Sequence, residues 1–174
     1  MNQQELNNYF GHIWKSDLSK YFYSGWKLVH CIQEHETVLD VGCGFNEFKP
    51  FIPNLIGIDP ANNCADFKVS IEEFTYTSKF DVAFCLGSIN FGSEETILKQ
   101  ISCVIDHLKS NSRIYWRCNP GNADHGNSEC NSINFYPWTI SKHLEFATYF
   151  GFDLNEAVWD NGNRIYAEWI RTLA

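Results

Sequence analysis

Short apolar runs, separated by stretches rich in glycine, proline and polar residues, set the rhythm of this chain. V-L-D-V at 38–41, L-I-G-I-D-P at 55–60 and F-D-V-A-F-C-L at 80–86 are nearly continuous in aliphatic and aromatic residues, as parallel strands covered on both faces must be. A shorter run, F-K-V around Lys68, predicts one more strand. Between 80–86 and the R-I-Y-W-R segment the period changes. Ser93 is placed to cap a helix with Glu94 and Glu95 in its first turn, and Ile97, Ile101, Val104, Ile105 and Leu108 follow at helical spacing. Thr139 heads a second helix in which Ile140, Leu144 and Ala147 share a face, and Gly151 stands where a left-handed C-terminal cap belongs. Asp160-Asn161-Gly162-Asn163 reads as a hairpin turn between 152–159 and 164–171. Strands alternating with helices predict an α/β domain with a mostly parallel sheet.

Length adds that the 174 residues form one domain: an N-terminal helical segment, 1–36, and a core, 37–174. The first segment clusters Tyr9, Phe10, Trp14, Tyr21, Phe22, Tyr23 and Trp26, a pattern of two or three short helices packed over a sheet edge. Hydrophobic residues make up 44% of the chain and aromatic ones 16%, so a packed core is expected. A net charge of −8 without any Lys/Arg run argues against nucleic acid as partner and tilts the expectation to a small-molecule substrate. The seven cysteines show no C-x-x-C pair and mostly fall in apolar runs, where free buried thiols are expected, and no metal is expected. A polar N-terminus and the lack of a membrane-length apolar run lead us to expect a cytoplasmic protein.

The chemistry concentrates in T-V-L-D-V-G-C-G-F-N-E, 37–47. A strand ending in Asp40 gives way to a turn with Gly42 and Gly44, where the backbone can approach a ligand closely. A dinucleotide site calls for a third glycine where this chain has Glu47, whose carboxylate would repel a pyrophosphate. S-adenosylmethionine has no phosphate and carries sulfonium and ammonium cations, which suit an acid-flanked loop. The turn V-L-D-V-G-C-G resembles the opening motif of the class I S-adenosylmethionine-dependent methyltransferases, and the order of elements over 38–170 agrees with that family.

The resemblance implies a Rossmann-like three-layer α/β/α sandwich: a seven-stranded, mostly parallel sheet whose last strand inserts antiparallel. It implies that Asp40 and the backbone of Gly42 and Gly44 face the methionine ammonium, directly or through water, that Asp59 holds the ribose, and that Leu86 and Gly87 line the floor beneath the sulfonium. Ser70 stands where the family usually has an acid for the adenine amino group, and Ile71 follows it. N-terminal segments in the family often cover the cofactor, which makes Tyr9, Trp14, Lys15 and Tyr23 lid candidates. H-L-K-S-N-S-R-I resembles the family's H-L-K-P-G-G-R-L, and F-Y-P-W its F-Y-T-P-like entry. Leu86-Gly87-Ser88-Ile89 replaces the Asn- or Asp-Pro-Pro-aromatic motif of enzymes that methylate DNA bases.

A long polar loop over 118–134 leaves the ligand side of the sheet. Asn90, Arg117 and Asn119 are thus substrate-side candidates, and His125, Asp124 or His12 would serve as base where the acceptor needs one. Methyl transfer to a small molecule is the expected function. A non-catalytic methyltransferase-like subunit is the alternative, encouraged by Ser70 and by Pro50 and Pro53, which shorten the helix after the glycine turn.

Overall fold

The computed structural model describes residues 3–121, 133–161 and 163–172. Its six strands are β1 (Val38–Val41), β2 (Leu55–Ile58), β3 (Phe80–Leu86), β4 (Leu108–Cys118), β5 (Asp153–Asp160) and β6 (Arg164–Arg171), lying in the order β2-β1-β3-β4-β6-β5. β1 runs parallel to β2 and β3, and β3 parallel to β4. β6 inserts antiparallel between β4 and β5, as expected for the last strand.

The sheet has six strands, not seven, because the run around Lys68 forms a single bridge, Ile58 with Phe67. Asp66 explains the loss. Its carboxylate accepts the Gly57 N–H at 2.8 Å, so a side chain takes a donor that another strand would have used.

Helix α2 (Glu94–Asp106) is capped as its sequence predicts: Ser93 Oγ accepts from the Thr96 amide, and Ile97, Ile101 and Val104 are buried. In α3 (Ile140–Tyr149) Thr139 caps and Gly151 adopts φ +74°. Its buried stripe is, however, His143, Phe146 and Ala147, while Ile140 and Leu144 are 39% and 55% exposed. The rotation follows from the tryptophans beneath it. Trp138 stacks on the His143 ring at 4.5 Å, and Trp116 and Trp169 close around the same ring.

Both helices contribute to the core on one face, with Leu39, Ala83 and Trp116. The other face is covered by less regular chain: the 3₁₀ segment Trp26–Cys31 supplies Leu28, and Phe48 and Ile52 come from the stretch after the glycine turn. That stretch forms successive turns rather than a short helix, consistent with Pro50 and Pro53. The N-terminus has α1 (Gln3–Asn8), a π-helical turn Tyr9–Ile13 and a 3₁₀ turn Leu18–Lys20. No helix among the described residues is long and apolar enough to cross a membrane.

Candidate active site

The glycine turn is built from the strands outward. Gly42 and Gly44 take φ of +69° and +55°, a region that costs L-residues strain, and a Cβ on Gly42 would lie 2.4 Å from that of Ser88. The Gly42 and Cys43 amides donate to Ile58 O at 2.8 and 3.0 Å, pinning the turn to β2. One residue later comes Asp59. One of its carboxylate oxygens accepts from Gly44 N at 2.9 Å, and the other from Ala61 N and Asn62 N at 2.8 and 2.9 Å. Asp59 therefore ties the two loops together while lining the space between them.

That space is a cavity of about 810 Å³ across the carboxyl ends of the strands, the side on which open α/β sheets bind ligands. Of the expected cofactor residues, Gly42, Gly44, Asp59, Ser70, Ile71, Leu86 and Gly87 all line it. The Ser70 hydroxyl donates to Glu73 at 2.9 Å, which leaves its oxygen lone pairs as acceptors. Asp40 is different: it lies behind the turn, only 4% exposed, and is not part of the cavity wall. Burial, and then the Asp59 charge, push its carboxyl up to about 8. Glu47 also stays out of the cavity and accepts a hydrogen bond from Ser16 Oγ, so it fastens the N-terminal segment rather than facing a ligand.

The N-terminal segment roofs the cavity. Trp14 stacks on Phe45 with ring centroids 6.3 Å apart, and its ring lies so near Gly44 that a Cβ there would be 3.1 Å away. Tyr9, Phe10, Phe91 and Phe135 continue this aromatic roof. Lys15 lines the cavity as well, whereas Tyr23 packs on Tyr166 at 5.4 Å and His12 is exposed; neither of these two reaches the wall.

Asn90, Arg117 and Asn119 come together at the far end. Asn90 Oδ1 accepts from Asn119 N at 3.0 Å, bracing the strand ends. Arg117 is held on several sides. It donates to Asp160 at 3.0 Å, to Ser24 Oγ at 3.2 Å and to Asn161 O at 3.0 Å, and its guanidinium lies 3.6 Å from the Tyr21 ring centre. These bonds make Arg117 an anchor for the N-terminal segment. Asp124 and His125 lie outside the described residues.

Sequence reasoning missed Gln100 and Ser88. Both line the cavity, and Gln100 Oε1 and Ser88 Oγ are buried without a hydrogen-bond partner among the described residues. Gln100 donates to Glu72 at 3.0 Å, which brings Glu72 to the wall beside Ser70 and Ile71. A signal existed: three residues after Ile97 and four before Val104, Gln100 is a polar side chain on an apolar stripe.

No protein-family model matches the sequence, and no curated protein does. Solved structures do match. A magnesium protoporphyrin IX methyltransferase from Synechocystis, crystallised with S-adenosylmethionine, is 12% identical, with 99% of each chain covered and a TM-score of 0.68. The N-methyltransferase NodS from Bradyrhizobium japonicum is 11% identical over 79% of each chain, with a TM-score of 0.59. A Burkholderia thailandensis 1,6-didemethyltoxoflavin-N1-methyltransferase is 14% identical, over 79% of this chain and 72% of that one, with a TM-score of 0.58. The fold is thus that of S-adenosylmethionine-dependent methyltransferases.

Proposed function

We propose that this protein binds S-adenosylmethionine and transfers its methyl group to a small-molecule acceptor. The observation that carries the reading is the glycine turn held by Asp59 with buried Asp40 behind it and no helix after it. A pyrophosphate needs the positive end of a helix at that place, and here it would meet the Asp59 carboxylate instead. A cationic nucleoside suits the same wall. It would let Asp40 ionise, and its amino groups would give the orphaned oxygens of Gln100 and Ser88 a partner.

In this reading Asp59 holds the ribose with acceptor capacity left over from its three amide bonds, Ser70, Ile71 and Gln100 hold the adenine, and Leu86 and Gly87 form the floor. S-adenosylmethionine supplies an electrophilic methyl: the acceptor's lone pair forms the new bond as the carbon–sulfur bond breaks, that pair stays on sulfur, and any acceptor proton leaves to solvent. The chain's contribution is to align and to exclude water. Alignment alone is worth on the order of 7 to 11 kcal/mol for well-placed reactants. Trp14 and the aromatic roof shut out solvent above Gly44. The base role expected of His125 or Asp124 is part of the proposal, and intact turnover in His125→Asn would remove His125 from it.

Calorimetry with S-adenosylhomocysteine and NAD tests the reading. The demethylated nucleoside should bind and raise the melting temperature by mass action. Stabilisation by NAD alone would refute it.

A further inference from the structure

The floor of the cavity has little regular structure of its own. Residues 86–92 all line it, and past the end of β3 they form bends and a single bridge, with Gly87 and Gly92 at φ +106° and +95°. A stretch so permissive keeps one shape only where other chain holds it. The shape matters because Ser88 lies against the glycine turn, close enough that a Cβ on Gly42 would come within 2.4 Å of its own.

Segment 134–138 does the holding. Gly92 N donates to Asn134 O at 3.0 Å and Tyr136 N to Asn90 O at 2.8 Å, on either side of the antiparallel bridge between Phe91 and Phe135. The Trp138 indole N–H donates to Ile89 O at 2.9 Å in a buried bond. The segment is itself fixed from behind. Trp138 N donates to Asn119 O at 3.1 Å, the Tyr136 hydroxyl donates to Glu94 of α2 at 2.7 Å, and the Trp138 ring stacks on His143 of α3.

Trp138 differs from the tryptophans around it. Trp116 and Trp169 close on the same His143 ring and are as fully buried, yet their indole nitrogens have no hydrogen-bond partner among the described residues. Packing in this cluster therefore calls for no donor. Of the three, Trp138 alone directs its N–H to the floor.

We propose that Trp138 is a positioning residue for the nucleoside site: through Ile89 O it fixes residues 86–92 in the shape that receives S-adenosylmethionine, while itself standing outside the cavity wall. The inference rests on the methyltransferase reading for the identity of the occupant. Without the indole donor, Ile89 O is a buried acceptor left unpaired. Its easiest relief is to turn its peptide toward the cavity, and Gly87, two residues earlier, gives way. That rotation moves Ser88 against the glycine turn, so both surfaces offered to the nucleoside shift together.

The experiment uses the full chain and S-adenosylhomocysteine. Trp138→Phe keeps an aromatic ring on His143 and removes the donor, whereas Trp169→Phe, in the same cluster, removes an indole whose N–H is unpaired among the described residues. Calorimetry should show affinity lowered about tenfold in Trp138→Phe and by less than about twofold in Trp169→Phe. A loss that merely followed weakened packing would appear in both. Nitrogen–proton NMR of the parent adds a readout that needs no variant to fold: on saturation the Trp138 indole signal should move while those of Trp116 and Trp169 stay in place. Affinity in Trp138→Phe within about twofold of the parent, an equal loss in Trp169→Phe, or an unmoved Trp138 signal overturns the proposal. A parent that binds the nucleoside with Trp138→Phe indifferent overturns this inference alone; a parent that binds no nucleoside brings down the methyltransferase reading with it.

Discussion

Asp160 lies 3.0 Å from Arg117 in a pair whose side chains are 0% and 8% exposed, and the same carboxylate accepts the backbone amides of Phe22, Tyr23 and Ser24. One side chain thus joins the closing hairpin, the end of β4 and the N-terminal roof. The hydrogen bonds hold its carboxyl below the usual range even though burial acts the other way.

Replacing Asp160 with Ala should therefore be severe. It strands a buried guanidinium and four amides, those of Phe22, Tyr23, Ser24 and Asn161, a loss of about 3 to 5 kcal/mol. Urea unfolding followed by tryptophan fluorescence should show the drop in midpoint. A change below about 1 kcal/mol would mean that Arg117 finds water or another acceptor.

Asp59→Ala should lose nucleoside affinity and stability together. The carboxylate accepts three backbone amides besides facing the cavity, so removing it costs about 1 to 3 kcal/mol of folding. Calorimetry should show affinity for S-adenosylhomocysteine lowered about tenfold or more. Asp59→Asn, which keeps one acceptor oxygen, should recover stability more fully than binding.

Gln100→Met separates ligand binding from folding in the opposite sense. It removes an orphaned buried oxygen, so the free protein should be as stable as the parent or more so. Affinity for S-adenosylhomocysteine should fall several-fold while affinity for methionine alone stays put. Unchanged nucleoside affinity would take Gln100 out of the adenine site.

The pH dependence of stability has two opposing parts. Asp40 keeps its proton in the folded state up to about 8, well above the ordinary 3.8, so folding binds a proton across that window. Its contribution is full below 3.8 and is lost as pH rises toward 8. His143, buried with neither ring nitrogen hydrogen-bonded among the described residues, is pushed down from 6.5 to about 3. Its unfolded form takes a proton first, so stability falls as pH drops from 6.5 toward 3. The two slopes oppose each other over the shared range, which leaves a decline above pH 6.5. Denaturant titrations should show that decline vanish in Asp40→Asn, and stability climb on acidification in His143→Phe. A cationic ligand should also expel the Asp40 proton, giving binding heats that depend on buffer below pH 8.

Local sequence determined most of the sheet. Continuous apolar runs at 38–41 and 80–86 can be satisfied only by burial on both faces, and Ser93 and Thr139 mark helix starts through bonds to amides three residues on. The glycine turn was equally legible, since positive φ at Gly42 and Gly44 is a property of the backbone itself. Tertiary structure decided what no neighbouring residue dictates. Asp40 and Asp59 both look like ligand acids in the sequence, yet the fold buries one behind the turn and sets the other in the cavity wall. Arg117 lines the cavity, and only the fold pairs it with Asp160, 43 residues away in the chain. α3 turned its His143 inward because three tryptophans from separate segments meet there, and the strand around Lys68 gave way to one carboxylate on Gly57. Burial and pairing of charge depend on groups far apart in the chain, and only the folded molecule brings those together.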